Sequence, residues 1–143
     1  MEAAASASSP MLVLLALSVA LLVFHIGLQG MLSTRELGSA WNAGPRDEPR
    51  QPAGLVAGRA ARASANFRET YPAFVALALA LAIAGDPAGW GLAGAWLWFV
   101  ARLVYLPLYL AGVPYIRSLV WTVALVGLAV MAGAIILQEA GIP

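Results

Sequence analysis

The sequence predicts an all-α integral membrane protein, built as a bundle of four transmembrane helices. Three observations lead to this prediction. Apolar residues make up 62% of the 143 residues, against about 45–50% in soluble domains. Charged residues make up only 10%, against about 25% in soluble domains. The apolar residues are also concentrated in four runs, and a helix needs about 20 such residues to cross the hydrocarbon core.

The charge balance and the absence of cysteine exclude several classes of function. The eight basic residues are all arginine, seven carboxylates nearly cancel them, and the net charge is +1. A net charge this close to zero gives no basic surface for binding nucleic acid. Without cysteine there is no disulfide, no thiolate nucleophile and no Cys-ligated metal. Any sulfur chemistry must therefore use a sulfur atom that the substrate brings.

The first predicted span covers residues 11–32. The segment before it carries Glu2 and no basic residue, which does not fit the n-region of a signal peptide. We therefore expect this span to be retained. It contains His25, the only histidine, with Gln29 one turn later on the same face. A single histidine does not make a metal site, and we expect His25 to hydrogen bond to another helix.

The loop at residues 33–60 sets the predicted orientation. It is rich in glycine, proline and charge, so we expect irregular structure at the membrane surface. Six arginines lie between the first two apolar runs: Arg35, Arg46, Arg50, Arg59, Arg62 and Arg68. By the positive-inside rule this loop is cytoplasmic, and both termini lie on the other side.

The second predicted span, residues 62–85, has an apolar part of only about 16 residues, so it must begin upstream with polar residues on one face. The alternation of alanine and leucine from Ala76 to Ala82 could suggest a strand, but polarity does not alternate, and both residues favour helix. Arg62, Asn66 and Glu69 share one face, within about 60° of one another. The alternative is a self-contained Arg62–Glu69 ion pair at the interface.

The third predicted span, residues 90–112, carries Arg102, Tyr105 and Tyr109 on one face. A charge near mid-span must pair or face water, so these residues are functional candidates. Glu69 is the obvious partner for Arg102. The tyrosines could instead belong to an interfacial aromatic belt. Pro107 is expected to kink this helix.

The fourth predicted span, residues 115–138, opens with Arg117 and Ser118 from the cytoplasmic side. Arg117 could be a plain interfacial anchor. However, the second span starts, the third ends and the fourth starts at this side, so the polar clusters lie at similar depth. They predict an arginine-rich pocket for a small anion with several carboxylates, because guanidinium groups bind carboxylates bidentately. A lipophilic second substrate could enter from the bilayer.

Small residues form two further stripes, at Ala76, Ala80 and Ala84 and at Ala129 and Gly133. Such stripes allow close helix packing and oligomerisation, although an alanine-rich composition also produces them. No soluble domain or internal repeat is evident, so residues 1–143 are expected to form a single membrane domain.

Two separated motifs carry a resemblance to a known family. Residues 62–72 (RASANFRETYP) resemble the signature of the membrane-associated proteins in eicosanoid and glutathione metabolism, the MAPEG family. Residues 101–105 (ARLVY), with Tyr109 and residues 114–118 (PYIRS), are also similar, most closely to the microsomal prostaglandin E synthase subgroup. The resemblance covers roughly residues 11–138.

The resemblance implies a homotrimer of four-helix bundles, with glutathione bound as cosubstrate between neighbouring subunits near the cytoplasmic face. It implies binding roles for Arg35, Arg62, Asn66, Glu69, Tyr105 and Tyr109. It also implies that Arg117 stabilises the glutathione thiolate, that the Ser118 hydroxyl assists, and that Asp47 matches a loop aspartate implicated in the synthase. The chain departs from the synthase subgroup at Ala65, where that subgroup has arginine, and at Tyr105, where it has histidine. The connection from Tyr109 to Arg117 is also one residue shorter.

The function implied is a glutathione-dependent membrane transferase or peroxidase acting on a lipophilic electrophile. A free thiol is mostly protonated at pH 7, and a cation within about 4–6 Å favours the thiolate. The first alternative is a non-catalytic MAPEG-like membrane binding or scaffold protein. The second is a small transporter built around Arg102 and Glu69, which the lack of internal repeats disfavours. Arginine without lysine, in an Ala- and Gly-rich chain, suggests a bacterial inner membrane.

Overall fold

The computed structural model describes residues 9–142, so Glu2 and the rest of residues 1–8 lie outside the described part, as does residue 143. The described chain is all-helical. Its helices are α1 (Pro10–Leu37), α2 (Ser39–Ala43), α3 (Leu55–Ala84), α4 (Trp90–Ala111) and α5 (Ile116–Glu139). Four of them, α1, α3, α4 and α5, are long and apolar enough to cross a membrane. The predicted all-α bundle with four spans is confirmed.

The loop between the first two spans is shorter than the predicted residues 33–60. Helix α1 continues to Leu37 and ends at Gly38, which has a φ of 87° and donates its N–H to Thr34 O at 2.9 Å. A positive φ suits glycine at such a helix end. The short helix α2 follows directly. The irregular part of the connection is therefore confined to residues 44–54.

Helix α3 begins two turns before the predicted start at residue 62. Helix α3 begins at Leu55, soon after Pro52. Proline is tolerated at the start of a helix but not in its interior, because it has no backbone N–H to donate. The added turns bury alanines at three-residue spacing, Ala57 and Ala60, in line with Ala63. The N–H of Gly54 donates to Glu36 Oε2 at 2.8 Å, which ties the start of α3 to the end of α1.

Asp86 and Gln138 hold the end of the bundle that lies away from the α1–α3 connection. The Asp86 carboxylate accepts the N–H groups of Gly91 at 3.1 Å and Leu92 at 2.7 Å, and so caps the N-terminus of α4. A carboxylate at this position also complements the helix dipole. Gln138 Nε2 donates to Ala84 O at 2.9 Å, which joins the end of α5 to the end of α3.

Helices α4 and α5 make the most extensive helix pair, and they cross at two glycines. A Cβ atom on Gly94 would lie 2.7 Å from Gly127 O, and one on Gly127 would lie 2.7 Å from Gly94 O. Neither position can therefore hold a side chain without moving the helices apart. This crossing was not among the predicted small-residue stripes.

Most residues of the two predicted stripes face away from the bundle in the single chain. Ala76, Ala84 and Ala129 are exposed, and a Cβ atom on Gly133 would meet nothing within 4 Å. The reason is that the opposite face of α3 carries the buried residues Phe74 and Ala78.

Stacked aromatic rings fill the centre of the bundle. Phe67 and Phe74 of α3 pack against Trp98 of α4, with the Phe74 and Trp98 ring centroids 3.9 Å apart. His25 of α1 stacks on Phe67 at 4.6 Å. Its predicted hydrogen bond to another helix is absent, because neither ring nitrogen has a partner among the described residues. The imidazole acts here as an aromatic ring packed on a phenyl face.

We expect Gly127→Ala to destabilise the bundle by about 1–3 kcal/mol, the usual effect of overpacking a tight contact. The added methyl group would press on backbone atoms of α4, at Gly94 O and Trp98 N. The matched control is Gly133→Ala in the same helix, where the space is open and alanine favours helix. Thermal unfolding in detergent measures both variants. Equal unfolding midpoints for the two variants would contradict this account of the crossing.

Candidate functional site

The candidate site is built around Arg102 of α4, whose side chain is 0% exposed. Its Nη1 donates to Asn66 Oδ1 of α3 at 2.9 Å. The predicted partner, Glu69, is exposed and makes no ion pair with Arg102 within the described residues. A neutral amide satisfies the donor without burying a second charge, and burying a second charge carries a large desolvation cost.

Two aromatic rings also contact the Arg102 guanidinium. Its Cζ lies 4.6 Å from the ring centroid of Tyr105 and 5.2 Å from that of Phe67. Such cation–π contacts favour a desolvated cation. Nε and Nη2 of Arg102 have no hydrogen-bond partner among the described residues. The two ring faces therefore contribute to stabilising a cation that only one hydrogen bond satisfies among the described residues.

A continuous line of contacts leads from Arg102 to Arg117. The rings of Tyr105 and Tyr109 lie 5.5 Å apart in an edge-to-face arrangement. The Cζ of Arg117, on α5, lies 4.4 Å from the Tyr109 ring centroid. We call the five residues Asn66, Arg102, Tyr105, Tyr109 and Arg117 the polar row.

The polar row becomes more exposed towards the α4–α5 turn. Tyr105 is buried, whereas Tyr109 and Arg117 are half-buried. Burial of Tyr105 rules out an interfacial belt position for this residue. The row thus joins a buried cation to a partly accessible one through two phenol rings. The shared face of Arg102, Tyr105 and Tyr109 predicted this arrangement.

Arg62, Glu69 and Ser118 lie on the same helices but are exposed in the single chain. The alternative ion pair between Arg62 and Glu69 is not formed among the described residues. No hydrogen bond among the described residues joins these three side chains to the polar row.

Arg35 and Asp47 are also exposed, and no hydrogen bond among the described residues joins them to the polar row. Arg35 lies in the last turn of α1. Asp47 follows Arg46, which donates to Asn42 O at 2.9 Å and lies 5.0 Å from the Trp41 ring centroid. The loop around Asp47 is thus anchored to α2.

Phe67 was not predicted as a site residue, and Arg59 was predicted only as one of the arginines on the cytoplasmic side. Phe67 lies between His25 and Arg102 and contacts both. Arg59 Nη1 donates to Leu110 O near the end of α4, at 2.9 Å.

A cavity of about 550 Å³ lies at the other end of the bundle. It opens between the α3–α4 turn and the last turns of α5, and contains no residue of the polar row. Its two polar residues of note, Asp86 and Gln138, already hydrogen bond to the backbone. The polar row and this cavity are therefore separate features.

The fold and site define a four-span helical membrane protein with a buried arginine and a second, accessible arginine. The sequence profile of the MAPEG family matches residues 11–137. The chain therefore belongs to the MAPEG family, which includes glutathione-dependent transferases and peroxidases. No curated protein and no solved structure matches it significantly.

We expect Asn66→Leu to destabilise the protein by about 1–3 kcal/mol or more, because it leaves the buried guanidinium without its hydrogen-bond acceptor. The double variant Asn66→Leu/Arg102→Met should lose less than Asn66→Leu alone, since it removes the buried charge as well. The unfolding free energies of the unmodified protein, the two single variants and the double variant, measured in mixed micelles, form a double-mutant cycle. Strictly additive losses would show that the two side chains do not depend on each other.

Proposed function

We propose that the protein is a glutathione-dependent membrane transferase or peroxidase that activates the glutathione thiolate for attack on a lipophilic electrophile. The observation that carries the proposal is Arg117, a half-buried cation fixed against Tyr109 at the accessible end of the polar row. Family membership supports it, since MAPEG proteins generally use glutathione.

The chemistry follows from the properties of a thiol near a guanidinium. A free thiol has a pKa near 8.5, so the thiolate is a minor form at neutral pH. A cation within about 4–6 Å stabilises the thiolate and lowers the thiol pKa. Arginine keeps its charge at every relevant pH, so Arg117 can do this without accepting a proton. The adjacent Ser118 hydroxyl would donate a hydrogen bond to the sulfur.

In the transferase reaction the thiolate sulfur forms a bond to an electrophilic carbon, and the leaving group departs with its electron pair. The electrophile would reach the sulfur from the bilayer, where lipophilic molecules concentrate. The site would supply a larger thiolate fraction at neutral pH and hold the sulfur in position for attack.

The remaining side chains suit the charged ends of glutathione. The tripeptide has two carboxylates and one ammonium group. Guanidinium groups at Arg62 and Arg35 would bind the carboxylates, Glu69 would bind the ammonium, and the Asn66 amide would offer donors and an acceptor. Tyr105 and Tyr109 would form the wall of the site. Asp47 would approach from the loop after α2.

We further propose a homotrimer, with each glutathione between two subunits. The exposure of Arg62, Glu69 and Ser118 in the single chain supports this, since a binding site for a charged peptide needs more than one wall. The outward-facing small residues Ala76 and Ala129 would allow close contact between helices of neighbouring subunits.

We expect Arg117→Ala to lower kcat for conjugation of glutathione to a chloronitrobenzene at neutral pH by about tenfold or more, because removing the cation raises the thiol pKa and lowers the thiolate fraction. KM for glutathione should change little, because the other residues hold the charged ends. Arg117→Lys should retain part of the rate.

The matched control is Arg68→Ala, which removes an exposed arginine from α3 outside the proposed site. Its rate should equal that of the unmodified protein. No turnover in the unmodified protein with any of a panel of electrophiles would instead favour the non-catalytic binding or scaffold alternative.

We propose that the protein lies in a bacterial inner membrane with both termini on the non-cytoplasmic side, as the arginine distribution and composition indicate. The absence of cysteine allows a direct test. A maleimide that cannot cross membranes should label Ala88→Cys, in the exposed α3–α4 turn, on intact cells. It should label Ser39→Cys, in the exposed helix α2, only after lysis. The reverse labelling pattern would overturn the orientation.

A further inference from the structure

The turn between α4 and α5 holds two residues in unusual backbone conformations. Gly112 has a φ of 75°, and Tyr115 has a φ of 53° with a ψ of −61°. The N–H of Ile116 donates to Pro114 O across Tyr115, which makes a γ-turn of the rarer, positive-φ kind. A tyrosine in this conformation is strained, and such strain persists only where surrounding contacts hold it.

This turn lies between the two residues whose contact ends the polar row. Tyr109 precedes the turn and Arg117 follows it. Their cation–π contact at 4.4 Å therefore depends on the path of the turn. A small change in that path would move the Arg117 guanidinium relative to Tyr109.

Arg59 of α3 reaches this turn from 51 positions away in sequence. The Leu110 carbonyl lies in the last turn of α4, where carbonyl groups have no N–H partner within the helix, and Pro114, four residues later, has no N–H to offer. Arg59 Nη1 donates to Leu110 O at 2.9 Å instead. Hydrogen bonds from a charged donor are stronger than those between neutral groups.

The same guanidinium packs against Gly112. A Cβ atom on Gly112 would overlap Nη1, Nη2 and Cζ of Arg59. Glycine is therefore required here for two reasons: its positive φ and the space that Arg59 occupies. Arg59 is half-buried, which distinguishes it from an exposed arginine that only marks the cytoplasmic side.

We propose that Arg59 is a positioning residue, which clamps the α4–α5 turn so that Tyr109 and Arg117 stay in contact and Arg117 stays at the height of the thiolate. This proposal rests on the proposed function. Arg59 itself touches neither reacting atom. Arg59 affects the reaction through the position of Arg117, because stabilisation of the thiolate depends on the distance between the cation and the sulfur. Errors of about 1 Å in an active site can lower the rate about a hundredfold.

Two measurements on Arg59→Gln in lipid nanodiscs test the clamp. Hydrogen–deuterium exchange of residues 110–118 should rise about tenfold, since the turn loses its charged hydrogen bond. The pH midpoint of the glutathione thiolate absorbance should also rise by about one pH unit. Binding of S-methylglutathione, which has no thiol, should stay within about twofold of the unmodified protein.

Arg68→Gln is the matched control, because it removes one positive charge from the same helix at an exposed position. It should leave the exchange and the midpoint unchanged. Arg59→Lys keeps a charged donor and should restore part of both signals, and it also serves as the test protein if the glutamine variant fails to fold.

Unchanged exchange of residues 110–118 in Arg59→Gln would overturn the clamp. A mobile turn with an unchanged thiolate midpoint would overturn the positioning role. If the unmodified protein binds no glutathione, the proposed function fails, and the exchange measurement alone still decides whether Arg59 clamps the turn.

Discussion

The buried guanidinium of Arg102 is the constraint on which the arrangement of the helices depends. A permanently charged group with 0% exposure must find its partners inside the bundle. Those partners are Asn66 and Phe67 on α3 and Tyr105 on α4 itself. Satisfying the cation therefore sets the rotation and register of α3 against α4. The close crossing of Gly94 and Gly127 then places α5, and with it Arg117.

The site combines an interior cation with a more accessible one, and the surroundings of the two cations differ. Arg102 is held by an amide and two ring faces, which suits a structural role in a low-dielectric interior. Arg117 contacts one ring and lies where a charged peptide could reach it. The tyrosine pair between them keeps the cations apart, and the strained turn beside Arg117 is tied to α3 by Arg59.

Much of this could be predicted from residue patterns. The four apolar runs predicted the spans, and helical spacing placed Arg102, Tyr105 and Tyr109 on one face. The choice of Asn66 over Glu69 could not be predicted, because the two share a face and only packing decides which one turns towards α4. The early start of α3 was hidden because its buried alanines lie among arginines. The Arg59 contact joins segments far apart in sequence, and no local pattern encodes such a contact.

The most direct test of the account is an experimental structure of the protein in lipid with glutathione bound. The glutathione sulfur is expected within about 4–6 Å of the Arg117 guanidinium, with the Tyr109 contact retained and Arg102 still hydrogen bonded to Asn66. Glutathione bound elsewhere, for example in the cavity beside Asp86 and Gln138, or a sulfur far from Arg117, would contradict it.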